Sequence, residues 1–159
     1  MEEIVIRLAQ DSDSPSLGRL GALLLETHYH FDQKRFMAPH PNSAEGYASF
    51  LRSQLKAKDV VVFVAERAGA VVGYVYAGLE PTSWKELRDM AGFIHDVAVD
   101  DSSRRLGIAS LLIEAAIEWL RAHGAPRVML WTAERNPAAQ SLFGHLGFRR
   151  TMIEMTREL

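Results

Sequence analysis

One stretch concentrates the residues that could do chemistry. An apolar run, Val97-Ala98-Val99, passes through Asp100-Asp101-Ser102-Ser103 into Arg104-Arg105-Leu106-Gly107-Ile108-Ala109-Ser110, where a helical pattern begins. A helix N-terminus presents unpaired backbone N–H groups and the positive end of the helix dipole, and the small Gly107 and Ala109 let a ligand approach that backbone closely. The chemistry this suits is anion binding, with two adjacent arginines adding charge. It is not a P-loop, because no Gly-Lys-Ser/Thr follows, and the three-glycine spacing of a dinucleotide fingerprint is missing. An ordinary strand-to-helix turn with solvated arginines would carry the same short Gly-x-Ala pattern.

Two residues before Val97 stands His95. On a regular strand, residues 93, 95, 97 and 99 share one face, which aims His95 to the side of Val97 and Val99 and sends Asp96 to the opposite side. Imidazole accepts a proton near neutral pH, so His95 is a candidate general base, although a strand histidine is more often a packed core residue. Asp96 reads equally as a buried hydrogen-bond acceptor or a substrate anchor. A second cluster, Glu26-Thr27-His28-Tyr29-His30-Phe31-Asp32 followed by Arg35, Phe36 and His40, mixes aromatic, acidic and histidine side chains. The alternation of His28, His30 and Asp32 would suit a metal on a strand, but no cysteine and no second cluster accompany it, so no metal site is expected.

These residues need elements to position them. Ile4–Leu8 alternates as a strand, and Asp11-Ser12-Asp13-Ser14-Pro15 reads as a turn with an N-cap and proline at the first helical position. A helix follows with Leu17, Leu20, Leu24 and Leu25 on one face, whereas Thr27 to Pro41 has no clean period. A second helix is expected from Asn42 to about Lys56, with Glu45 as capping-box partner and Tyr47, Phe50, Leu51 and Leu55 inward. Val60–Glu66 and Val71–Leu79 form a hairpin around Arg67-Ala68-Gly69-Ala70, and Phe93–Val99 is a further strand. Ile108, Leu111, Leu112, Ala115, Trp119 and Leu120 keep a helical period that His123-Gly124 closes. Val128–Thr132 is a short strand, Asn136-Pro137 starts a helix with Ala139, Leu142, Phe143 and Leu146 inward, and Phe148–Met155 is the expected last strand. The string is α/β, antiparallel in front with a crossover at the back.

Composition narrows the classes. The 159 residues carry 18 basic and 20 acidic side chains, are 48% hydrophobic and contain no cysteine. A chain of this length buries a core without staples, and residues 1–159 read as one domain, since no repeat or linker divides them. Disulfide scaffolds, zinc–thiolate sites and thiol nucleophiles are excluded. The longest charge-free stretch, Ala68 to Leu79, is far too short to span a membrane. The acidic Met1-Glu2-Glu3 start lacks the basic region of a secretory signal, so the expectation is a cytoplasmic protein. A pI near 6.3 with arginines spread among acids argues against nucleic acid as partner.

Arg104-x-x-Gly107-x-Ala109 directly after an apolar strand resembles the acetyl-CoA signature of the GNAT superfamily of N-acyltransferases. About thirty residues on, Asn136-x-x-Ala139-x-x-Leu142-Phe143-x-x-x-Gly147-Phe148 resembles the second motif of that superfamily. The likeness is closest from Phe93 to Phe148. It implies the GNAT fold, with a mixed central sheet of about six or seven strands flanked by helices, and acetyl-CoA as co-substrate. It places the pyrophosphate on the amides from Arg104 through Arg105, Leu106, Gly107 and Ile108 to Ala109 and Ser110, and the pantetheine arm along Val97, Ala98 and Val99. A backbone N–H near Val97 would polarise the thioester carbonyl. Asn136 would contact pantetheine or cap its helix, and Phe143 would line the same groove. His95-Asp96-x-x-Val99 resembles the Glu-Asp-x-x-Val of members that acetylate polyamines and amino sugars, with His95 at the glutamate position. The sequence departs where many members carry a tyrosine as acid, because Phe143 stands there; water, the acceptor's ammonium, Tyr29, Tyr74 or Tyr76 must serve instead. The segment after the first helix would wall the acceptor, with Tyr29 and Phe36 foremost and Trp84 either opposite them or capping the core. The implied activity is acetyl transfer to a primary amine of a small molecule by direct attack. A protein N-terminus or lysine as acceptor, a CoA-binding module without catalysis, and a homodimer stay open.

Overall fold

The computed structural model describes residues 2–159. A five-stranded sheet runs in the order β1-β2-β3-β4-β5, with β1 Ile4–Leu8, β2 Val60–Arg67, β3 Ala70–Glu80, β4 Ala91–Val99 and β5 Val128–Leu130. The first four strands pair antiparallel, and β5 joins β4 in parallel over only three residue pairs, Gly92–Ile94 against Val128–Leu130. Helices α1 Ser14–Phe31 and α2 Ser43–Gln54 cover one face, and α3 Ile108–Ala122 covers the other; α4 Pro137–His145 follows β5. On the α3 side Ile108, Leu112, Ile113, Ala116 and Leu120 pack against Val61, Ala65, Val75, Ala77 and Ile94. On the α1 side Leu17, Leu20 and Leu51 pack against Val62, Val64, Tyr74 and Ala98.

Local chemistry explains the joints. Asp13 precedes α1 but does not cap it with its side chain. Its carboxylate instead accepts from the Gln10 backbone at 2.8 Å and from Arg7 at 2.8 and 3.0 Å, while Arg7 Nε reaches Glu66 at 2.9 Å. One guanidinium thus ties β1, β2 and the start of α1 together, and it holds the Asp13 carboxyl below the usual carboxylate range. The α1–α2 contact is close because glycine permits it. A Cβ on Gly21 would stand 2.1 Å from the Tyr47 ring, and one on Gly18 would stand 2.2 Å from the Ala44 carbonyl oxygen.

The structure departs from the sequence reading at four elements. Helix α1 continues through Thr27 to Phe31, so the histidine-rich stretch is helical, and His28 and His30 each donate Nδ1–H to the carbonyl four residues back. An aperiodic composition hid a helix that tertiary contacts stabilise. In α2, Phe50 is 44% exposed rather than inward. The expected final strand at Phe148–Met155 does not form, leaving five strands rather than six or seven, and β5 stops at Leu130 rather than Thr132. Strand-like residues form a strand only where a ladder partner lies alongside, and the C-terminal segment has none.

Candidate active site

Strand β4 carries the site, and its register is irregular where the chemistry concentrates. Tyr76 pairs with Asp96 but Ala77 pairs with Ile94, so His95 is the extra residue of a β-bulge. The bulge overturns the expected alternation. Ile94, Val97 and Val99 pack on the α3 side, while Asp96 and Ala98 meet the α1–α2 side. His95 therefore shares a face with Phe93 and Asp96, not with Val97 and Val99; its ring lies 5.9 Å from Phe93 and 4.8 Å from Tyr76.

Beyond Ile94 the strands β4 and β5 separate, which frees the β4 edge at Val97–Val99. A groove of about 220 Å³ opens there. It brings together Val97, Ala98, Val99, Arg104, Ala109, Asn136 and Phe143 with Leu23, Leu24, Thr27 and His28 of α1 and Ala139 and Leu142 of α4. Arg105, Leu106 and Gly107 are exposed at its end, Ser110 is half-buried, and Ile108 is a core residue at 1% exposure. Gly107 caps α3 in the left-handed region at φ 77°, and a Cβ there would meet nothing within 4 Å. The turn into α3 thus has open space beside Gly107, at the positive end of the helix dipole. The Arg104 guanidinium is held 2.9 Å from Asp101. Asn136 Oδ1 accepts from Ala139 N at 3.2 Å, the N-cap of α4.

On the other side of the bulge lies a cavity of about 260 Å³ lined by Glu80, Glu86, Arg88, Phe93, Ile94, His95 and Trp131. Glu86 is neutralised by Arg88 at 2.6 Å, whereas Glu80 faces His95, Oε1 to Nε2 at 3.2 Å. Arg88 also lies over the Phe93 ring at 4.9 Å. The walls combine a carboxylate, an imidazole and aromatic faces, a set that receives a cation bearing an apolar or ring body. Behind it Asp96 is enclosed. The hydroxyls of Tyr47 and Tyr74 both donate to it, Tyr74 at 3.1 Å. Burial raises the Asp96 carboxyl above its ordinary range against the pull of those two hydroxyls, and burial likewise raises both tyrosines.

Other expected residues fall elsewhere. Tyr29 is half-buried on α1 beside His30, and Phe36 packs 5.0 Å from His28 under Arg35; neither lines the groove or the cavity described above. Trp84 is 89% exposed, outside both cavities. The cavity walls Glu80, Glu86, Arg88 and Trp131 come from a hairpin end and a strand end, which no short motif marks. Leu23, Leu24, Thr27 and His28 carried a readable signal, the continuation of the leucine period into Thr27.

Comparison with known proteins decides the family. The acetyltransferase (GNAT) family pattern matches residues 25–148. The chain belongs to the GNAT acetyltransferase family. A mycothiol acetyltransferase of Thermomonospora curvata is 33% identical over 94 residues, 59% of this chain and 29% of that protein. An N-alpha-acetyltransferase of Sulfurisphaera tokodaii is 31% identical over 109 residues, 65% of each chain. The chain spans 29% and 31% of the length of two mycothiol acetyltransferases it matches. Among solved structures, a mutant of a Bacillus halodurans protein superposes at TM-score 0.82 with 23% identity, covering 98% of this chain and 99% of that one. An aminoglycoside N-acetyltransferase in complex with CoA superposes at TM-score 0.78 with 19% identity, covering 100% and 96%. At those identities the likeness carries the GNAT fold.

Within that fold, Phe143 lies in the groove against Phe148, ring centres 5.9 Å apart, and has no proton to give. Of the tyrosines, Tyr74 is fully buried on Asp96, and Tyr76 donates to Gln54 at 3.0 Å with its ring against His95.

Proposed function

We propose that this chain transfers the acetyl group of acetyl-CoA to a primary amine of a small molecule, by direct attack of the amine on the thioester. The observation that carries the reading is that β4 lines two cavities, Val97–Val99 on the groove beneath the α3 N-terminus and Phe93–His95 on the acidic, aromatic cavity, with the bulge between them. Acetyl-CoA is a co-substrate, and it supplies the activated acyl carbon. The backbone amides from Arg104 to Ser110, running from the turn into the first residues of α3, hold its pyrophosphate, and Val97–Val99 hold the pantetheine arm as a neighbouring strand would. A free backbone N–H on that edge polarises the thioester carbonyl.

Across the bulge, Glu80 attracts the acceptor's ammonium, and Phe93 and Trp131 hold its body. An amine attacks only after losing a proton, and His95 takes it, directly or through one water. With no cysteine in the chain, no thiol relays the acyl group. The leaving thiolate is protonated by water or by the acceptor itself, since the tyrosines on Asp96 are raised and committed to that carboxylate. The names of relatives, mycothiol and aminoglycoside acetyltransferases, support a small amine.

A thiol-release assay over polyamines, amino sugars, aminoglycosides, amino acids and short peptides tests this. Turnover with a small amine is expected; turnover with peptides alone would transfer the reading to protein acetylation. CoA binding without turnover of any amine would reduce the chain to a binding module.

A further inference from the structure

The groove beneath the α3 N-terminus holds one titratable side chain with no assigned task. Breaking the C–S bond of acetyl-CoA leaves an electron pair on sulfur, and a proton must follow it. Four polar side chains line the groove: Thr27, His28, Arg104 and Asn136. The Thr27 hydroxyl donates to the Leu23 carbonyl at 2.8 Å, Asn136 caps α4, and a guanidinium does not give up its proton. That leaves His28, because an imidazole both carries and releases a proton near neutral pH.

Its surroundings fix the ring. The Leu24 carbonyl can only accept, so Nδ1, 2.8 Å away, carries the hydrogen, and no hydrogen bond among the described residues engages Nε2. Phe31 and Phe36 meet the ring edge-on, with centres at 5.7 and 5.0 Å. Its level along the groove follows from how α1 lies on β4. Arg19 pairs with Asp100, just past the end of β4, at 2.6 Å. From Arg19 to His28 is nine residues of helix at ~1.5 Å each, and from Asp100 back to Asp96 is four of strand at ~3.3 Å each, so both paths cover about 13 Å. His28 therefore stands level with the bulge. Asp96 registers it there: burial raises that carboxyl, the hydroxyls of Tyr47 and Tyr74 oppose the rise, and so do the charges of His95 and His28. One histidine thus lines each cavity, with the buried carboxylate near both.

We propose that His28 is the general acid of the transfer, its Nε2–H passing to the sulfur of CoA, directly or across one water, as the C–S bond breaks. The inference rests on the acetyl-transfer reading. The amine nitrogen bonds to the acyl carbon and sheds its surplus proton to solvent, the electron pair of the C–S bond stays on sulfur, and sulfur takes the proton from Nε2. The neutral imidazole regains one from water. Ammonium and acetyl-CoA together give the N-acetyl amine, the CoA thiol and one proton. Water or the acceptor can protonate the thiolate unaided; an acid fixed at the bulge does so faster.

The charged and titratable groups around His28 are Asp96 and His95 on β4, Tyr47 on α2 behind Asp96, and Arg35 across Phe36, and the test keeps all of them. His28→Ala and His28→Gln should lower kcat about 10²-fold, the low end for a positioned acid, because a thiol near pKa ~8.5 is already a fair leaving group. The acetyl-CoA KM should hold. The Gln variant keeps a polar group of similar reach, so it answers even where the Ala variant fails to fold. The fall of kcat at high pH, where the acid has lost its proton, should vanish in both. Imidazole added to the Ala variant should restore kcat in proportion to its protonated fraction, which mere filling of space would not follow. Variants with wild-type kcat and the same high-pH limb overturn the proposal. So do variants that raise only the acetyl-CoA KM, which would make His28 a wall of the groove. A loss of kcat with the limb unmoved and no rescue by imidazole overturns it as well, as lost packing on Phe31 and Phe36. A wild type that binds acetyl-CoA yet turns over no amine sinks the transfer reading and this inference with it, whereas turnover indifferent to His28 sinks the inference alone.

Discussion

His95 is where sequence and structure meet least simply. Its candidacy was legible from its type and from the two motifs around it, but its direction was not. Alternation sends His95 toward Val97 and Asp96 away from it, and a single extra residue in β4 reverses both. The consequence is chemical: the imidazole stands in the acidic cavity beside Glu80, where an ammonium would enter, and not over the groove edge. His95→Ala is expected to lower kcat/KM by about 10²–10⁴, the usual worth of a positioned base, with acetyl-CoA affinity unchanged. The acidic limb of the pH–rate profile should vanish in the Ala and Gln variants alike. If both variants keep wild-type rates and the same limb, His95 only packs between Phe93 and Tyr76. Gly107 gives a second check on the other cavity. Its φ of 77° disfavours any side chain by roughly 1–2 kcal/mol, and open space lies above it, so Gly107→Glu should fold yet repel the pyrophosphate. Calorimetry showing undiminished acetyl-CoA binding by that variant would remove the α3 N-terminus from the site.

At the scale of elements, hairpin β2–β3, strand β4 and helix α3 were readable because their periods are clean and their ends carry glycine or polar turn residues. The end of α1 from Thr27 to Phe31 was not, since His28, Tyr29 and His30 break the leucine pattern while still facing partners that only the fold supplies. Thr27 and His28 line the groove, so a missed helix end became missed site residues. The packing of α1 on α2 sets the site from behind. Gly21 lets Tyr47 close against α1, and the Tyr47 hydroxyl reaches Asp96 on β4. Gly21→Leu should displace Tyr47, costing on the order of 1–3 kcal/mol from overpacking and leaving Asp96 with one tyrosine rather than two. A melting temperature within a degree of wild type would show that the α1–α2 contact has slack the structure does not display.

For the whole molecule, two carboxylates with opposite displacements shape stability against pH. Asp13 is lowered by the hydrogen bonds from Arg7, so its contribution is present above the unfolded carboxylate value near ~3.9 and is lost as pH falls through its folded value. Asp96 is raised by burial, so ionising it costs stability, and that cost grows as pH rises from the unfolded value through the folded one. The two have no partner in common, one at the β1–α1 joint and one beneath the bulge, and their effects should separate by substitution. Asp13→Asn should destabilise at neutral pH by about 2–3 kcal/mol, the worth of charge-assisted bonds to a guanidinium, and by progressively less as pH falls below ~3.9. Asp96→Asn keeps an oxygen for the hydroxyls of Tyr47 and Tyr74 and removes the buried charge. Its melting temperature should match wild type at pH 3 and exceed it at pH 8. Melting curves of the three proteins from pH 3 to 8 decide the matter. Were Asp96→Asn less stable than wild type at pH 8, the two tyrosine hydrogen bonds to the charged carboxylate would outweigh its desolvation, and Asp96 would be a stabilising anion that anchors α2 to the bulge.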